Sequence, residues 1–240
     1  MTLLAVCVLA ATHVLAGKLR FLEGVPRSRW LSFAGGVSVA YVVVRILPEL
    51  SAGQREVDHP ANALLPFLEG HVYLLTLAGL VAFYGVERSS SSSRARRREA
   101  SGIDATDRSA FVVSIGGFAV YNVIVGYVLA DFDATREHSL AALAAALAVH
   151  FLVNDYGLRE HHKDAYRDVG RWVLAAAVLV GWAIGRSAEL DEAGVALLVA
   201  FLAGGIILNT FKEELPRDRE SRFLPFVAGA AGYAALLQLV

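Results

Sequence analysis

The sequence predicts an all-α integral membrane protein of eight spanning helices, with both termini outside. Three observations carry this expectation: composition, the length of the apolar runs, and the placement of basic residues between them. With 56% apolar and only 19% charged residues in 240 positions, the chain has more apolar surface than one water-soluble core can hide. The surplus must face lipid. The formal net charge of -1 gives no sign of nucleic-acid binding.

A spanning helix needs about 20 mostly apolar residues, because each rises about 1.5 Å through a hydrocarbon layer about 30 Å thick. That ruler finds segments near 2–17, 30–48, 64–86, 109–130, 139–157, 172–187, 192–211 and 223–240. The first has no basic residue before it, and Lys18 and Arg20 follow it, so it reads as a retained helix and not a signal peptide. None of the runs alternates in polarity, which excludes a spanning β-barrel. The lone cysteine, Cys7, lies in an apolar run and supports neither a disulfide nor a zinc site.

Charge then orients the segments. Lys18, Arg20, Arg27 and Arg29 lie between the first and second, and Arg88, Arg94, Arg96, Arg97, Arg98 and Arg108 between the third and fourth. Arg159, Lys163, Arg167 and Arg171 separate the fifth and sixth, and Lys212, Arg217, Arg219 and Arg222 the seventh and eighth. Of the 22 basic residues only Arg45, Arg55, Arg136 and Arg186 fall elsewhere. By the positive-inside rule, loops 18–29, 87–108, 158–171 and 212–222 are cytoplasmic, in a multi-pass protein of the cell membrane. The serine run from Ser89 to Ser93 and the arginines after it make 87–107 a flexible linker between helices 1–3 (1–86) and helices 4–8 (108–240). All of it is one membrane domain. Phe33-Ala-Gly-Gly-Val37 in the second segment is echoed by Leu202-Ala-Gly-Gly-Ile206 in the seventh, a pattern that fits inverted repeats as well as simple composition.

Ionisable and amide groups inside spanning segments mark a pathway or a pair. They include His13, Arg45, Asn122, His150, Asn154, Asp155 and Asn209. The fifth segment is densest. His150 and Asn154 are four apart on one helix face and Asp155 adjoins them, a donor set suited to zinc or manganese if a second helix contributes, as Asn122 could. The same residues could simply satisfy one another by hydrogen bonds. Arg45 needs a counter-charge, and has two candidates: Glu49, four residues on, or Asp155 in the bundle interior. Glu160-His161-His162-Lys163-Asp164 is metal-like in composition, with His161, His162 and Asp164 as candidate loop ligands, or else a solvated helix end.

These residues and the layout resemble the Zrt/Irt-like (ZIP) family of divalent-metal transporters. Segment two, from Phe33-Ala-Gly-Gly-Val37 to Leu47-Pro48-Glu49, is similar to the family's second helix. Tyr121-Asn122-Val-Ile-Val125-Gly126 resembles its His-Asn-x-x-Asp-Gly at Asn122 and Gly126. His150-Phe151-Leu-Val153-Asn154-Asp155-Tyr156-Gly157 resembles its His-Glu-x-Pro-His-Glu-Leu-Gly at His150 and Gly157, with a carboxylate kept at Asp155. Tyr121, Val125, Phe151 and Asn154 stand where the family has metal ligands, and Arg45 where it has histidine. The resemblance implies an eight-helix bundle and a reduced metal site of Asn122, His150, Asn154 and Asp155, with Arg45 and Glu49 near the pathway.

The expected function is passage of a divalent cation, zinc first, with the ion as substrate and no resident cofactor. The alternative is a ZIP-fold protein that no longer transports and serves as a regulatory or partner subunit. An enzyme is not expected: a membrane hydrolase needs clustered histidines in late helices, and segments six to eight have none. The partners considered are the lipid bilayer, the cation and a second copy of the chain.

Overall fold

The computed structural model describes residues 1–16, 29–57, 72–130, 137–188, 190–214 and 222–239. Within them every regular element is helical: α1 (Thr2–Ala16), α2 (Arg29–Tyr41), α3 (Leu47–Val57), α4 (Val72–Ser101), α5 (Arg108–Ala130), α6 (Glu137–His162), α7 (Arg171–Gly185), α8 (Glu192–Glu214) and α9 (Phe223–Leu239). A π-helical turn, Val42–Ile46, joins α2 to α3 without a break, and another, Tyr166–Gly170, leads into α7. Among the described residues five stretches are long and apolar enough to cross a membrane: Ser32–Gln54, Arg108–Ala130, Leu140–His162, Tyr166–Gly185 and Ala193–Lys212. α1 and α9 are shorter apolar helices. The all-α membrane reading therefore stands. Much of the surface is apolar, with Leu4, Tyr73, Val81, Val120, Val180 and Leu224 turned outward, as lipid contact requires.

Two boundaries differ from expectation. The second segment does not end near 48 but runs on as helix to Val57, with Pro48 just after the π-helical turn Val42–Ile46, a local adjustment of the kind by which a helix accommodates the N–H that proline lacks. Residues 87–101, expected to begin a flexible linker, continue α4 to Ser101. Arginine and alanine are good helix formers, and two of the serines bond within the helix: Ser91 Oγ donates to Glu87 and Ser101 Oγ to the Arg97 carbonyl. Arg94 holds Asp104 through two nitrogens at 2.7 and 2.6 Å, folding the end of the segment back on its helix. Gly102, with φ 71°, takes the left-handed position that ends α4, its N–H bonded to the Arg98 carbonyl. Asp107 then caps α5. Its carboxylate accepts from the Ala110 N–H at 2.8 Å and from Ser109 and Ser93, which together hold it well below the usual carboxylate range.

Three helix pairs, α2 with α9, α4 with α8 and α5 with α7, make backbone-to-backbone contact at glycines. A β-carbon at Gly36 would collide with the Phe226 carbonyl, and one at Gly229 with that of Phe33. Gly79 faces Phe201 and Gly204 faces Thr76; Gly126 faces Val178 and Gly181 faces Val123. In each pair the obstructing carbonyl belongs to the residue three positions before the opposite glycine. The crossings are thus reciprocal, and dispersion between bare backbones supplies the attraction that hydrophobicity cannot supply in lipid. Both Ala-Gly-Gly runs take part, through Gly36 and Gly204.

The ends of α6 and α8 meet the middle of α4 at one end of the bundle, where Glu87, His161 and Lys212 come together. At the other end the Tyr127 hydroxyl donates to the Ala188 carbonyl and accepts from the Leu190 N–H. Loops 18–28 and 215–221, where much of the basic asymmetry lies, fall outside the described residues.

Candidate functional site

α1 supplies the residue at the centre. Val6, Leu9, Ala10, His13 and Ala16 recur at helical spacing and form its buried stripe, so His13 is carried inward among apolar side chains. Its ring stacks on Phe151 of α6, centroids 4.6 Å apart. Nδ1 lies 2.9 Å from both carboxylate oxygens of Asp155, and Nε2 lies 2.8 Å from Oδ1 of Asn122 on α5. Asn122 Nδ2 donates to the Phe118 carbonyl at 2.8 Å, which leaves Oδ1 as the atom facing the imidazole. All three residues are 1% exposed.

The protonation of the group follows from its acceptors. An amide oxygen can only accept, so His13 Nε2 carries hydrogen. The contact between Nδ1 and the carboxylate then needs a second proton, whichever of the two holds it. The pair therefore keeps one proton and no net charge, as a medium of low dielectric demands.

The four expected metal residues fall into two groups. Asn122 and Asp155 come together, but across the His13 ring. His150 and Asn154 pair with each other, Asn154 Nδ2 to His150 Nε2 at 3.4 Å, and His150 Nδ1 has no hydrogen-bond partner among the described residues. Adjacent helix positions point about 100° apart, so Asp155 and Asn154 face different neighbours. Among the described residues no three His, Cys, Asp or Glu side chains are placed to hold a metal ion together.

Arg45 pairs with Glu49, Nε to Oε2 at 3.0 Å, and both are over a third exposed. Of the two candidate partners for Arg45 the structure thus has Glu49, and the other, Asp155, belongs to His13: its counter-charge is an imidazole from the first helix. Reasoning from the sequence noted His13 as an intramembrane polar residue and left it out of the site. The signal was there, since His13 falls on the buried stripe with Val6, Leu9 and Ala10.

His161, His162 and Asp164 do not converge either. His162, 3% exposed, bonds the Thr106 hydroxyl; His161 Nε2 lies 3.3 Å from Glu87; Asp164 pairs with Arg167. The adjacent histidines are not a solvated helix end. They tie α6 to α4 and to the turn before α5. Glu87 is the hub, accepting also from Lys212 Nζ at 2.6 Å. Burial pushes its carboxyl up, but His161 and Lys212 outweigh this and hold it down at about 2. Its folded pKa thus lies below the ordinary 4.5, so its contribution to stability is full above that pH and is lost as pH falls toward 2. In melting curves at a series of pH values, the gap between the parent and Glu87→Gln is expected to be widest above pH 4.5 and to close toward pH 2. A gap independent of pH refutes this role.

Comparison of the chain with family models, curated proteins and solved structures finds no match in any of the three.

Proposed function

We propose that the chain passes a divalent metal cation, zinc first, through its helical bundle, and that the cation enters the central site by displacing the proton held between His13 and Asp155. One observation carries the reading: the charge neutralising Asp155 is a removable proton on an imidazole and not a fixed guanidinium. Buried ion pairs contribute little net stability over apolar residues of similar size, whereas intramembrane ionisable groups mark pathways and relays. With the proton gone, an imidazole nitrogen and a carboxylate are donors that suit zinc or manganese better than calcium or magnesium, while Asn122, across the ring, holds the imidazole through Nε2. No catalytic role is proposed.

A second reading, a family-like protein that no longer transports and acts as a partner subunit, draws on the imidazole ring standing between Asn122 and Asp155. The two differ in flux. Purified protein in liposomes enclosing a pH indicator and a zinc indicator, given a zinc gradient, is expected to admit zinc and release protons, and Asp155→Asn to abolish both. Absence of zinc entry and proton release in the parent rules out the transport reading and favours the second.

A further inference from the structure

A cavity opens between α2 with its π-helical turn, α5, α6 and α8, at the Arg45–Glu49 end of the bundle. Its wall is aliphatic, including Val125, Leu129, Leu143, Leu147, Leu202 and Ile206, and its polar lining is Tyr41, Arg45 and Glu49. The wall stops at a particular depth on each helix. One turn beyond it every one of the four carries a buried polar residue: Ser38, three before Tyr41; Tyr121, four before Val125; His150, three after Leu147; and Asn209, three after Ile206. Spacings of three and four keep a residue on the same helix face, so these four lie under the cavity.

They are between 0% and 5% exposed, and each has a polar atom without a hydrogen-bond partner among the described residues: Ser38 Oγ, the Tyr121 hydroxyl, His150 Nδ1 and Asn209 Nδ2. The Tyr121 and His150 rings are 6.3 Å apart. Unpaired polar groups at one level of an apolar bundle call for a ligand that both donates and accepts, and buried water is the common one. A hydrocarbon chain would match the wall and leave all four groups unsatisfied. None of the four carries a fixed charge, so the floor favours a neutral ligand over a bare ion.

We propose that Ser38, Tyr121, His150 and Asn209 floor a water-filled chamber continuous with this cavity, through which water entering past the Arg45–Glu49 pair reaches the depth of His150. The chamber lies beside the His13–Asp155 pair, and its hydration does not depend on what, if anything, that pair exchanges.

Thiol reactivity tests it, because thiolates attack thiosulfonates, forming a mixed disulfide and expelling sulfinate, and thiolates form in water and not in hydrocarbon. In a Cys7→Ala background, Ser38→Cys, nearly isosteric, and Leu147→Cys are exposed in phosphatidylcholine nanodiscs to the ethyltrimethylammonium methanethiosulfonate. Val120→Cys is the control, one residue from Tyr121 on the outward face and 57% exposed to the surroundings of the bundle. Modification is followed by mass, on samples that elute as the parent does. Both chamber positions are expected to react at least about 10-fold faster than the control, the thiolate being the reactive species. Reaction of both no faster than the control overturns the proposal and leaves a lipid chain as the occupant. Fast reaction at Leu147→Cys alone overturns it too, since the floor would then be dry.

Discussion

Asp155→Ala is expected to destabilise the bundle by about 3 to 5 kcal/mol, because it removes one end of a buried pair and leaves Nδ1 of the His13 imidazole facing an apolar cavity without a partner. The measurement is thermal or denaturant unfolding of the purified protein in detergent. His13→Leu is expected to be costly as well, since it strands the carboxylate. The double variant His13→Leu/Asp155→Leu removes both ends of the pair and replaces them with apolar groups, and it should recover much of the loss. Additive destabilisation in the double variant sinks the pairing. Arg45→Ala separates this from the competing partner: its ion pair with Glu49 is half exposed, and such a pair contributes at most about 1 kcal/mol.

The bundle itself was legible in the sequence because hydropathy reads an average over 20 positions, and lipid punishes any departure from it. The site was legible only as a set of residues. Asp155 and Asn122 were singled out correctly as groups that must be compensated, but a sequence does not say which helix stands beside which. Arg45 was considered for Asp155 on charge, yet its long side chain has an easier partner one turn away at the bundle's edge. His13 lies 142 residues from Asp155, and only the packing of α1 against α6 and α7 brings them together. The Ser/Arg stretch misled for a different reason. Composition alone marks it as unable to fold, but it is attached in register to the apolar first half of α4 and meets Asp104, Asp107 and the end of α6, so the helix propagates without a new nucleus. The paired histidines likewise have metal-like composition, and geometry sends each to its own partner.

Glycines in α5 offer the sharpest contrast available within one helix. A β-carbon at Gly126 would run into the Val178 carbonyl of α7, whereas one at Gly116, ten residues earlier, meets nothing within 4 Å. Gly116→Ala should therefore show only the helix-propensity effect, neutral to stabilising by up to about 1 kcal/mol. Gly126→Ala, the same chemical change, must push α7 away along the length of the crossing, because a carbonyl in a helix cannot turn aside as a side chain can. Its expected effect is destabilisation by about 2 kcal/mol or more, in the upper range for overpacking. Gly181→Ala obstructs the same crossing from the other side, against the Val123 carbonyl. Once either substitution has parted the helices the second has less left to disturb, so the pair should fall short of additive. Equal melting temperatures for Gly116→Ala and Gly126→Ala would show that α5 and α7 do not meet at this glycine. Additive losses at Gly126 and Gly181 would instead mean that the two glycines serve separate contacts, which their reciprocal placement three residues from each other's carbonyls does not allow.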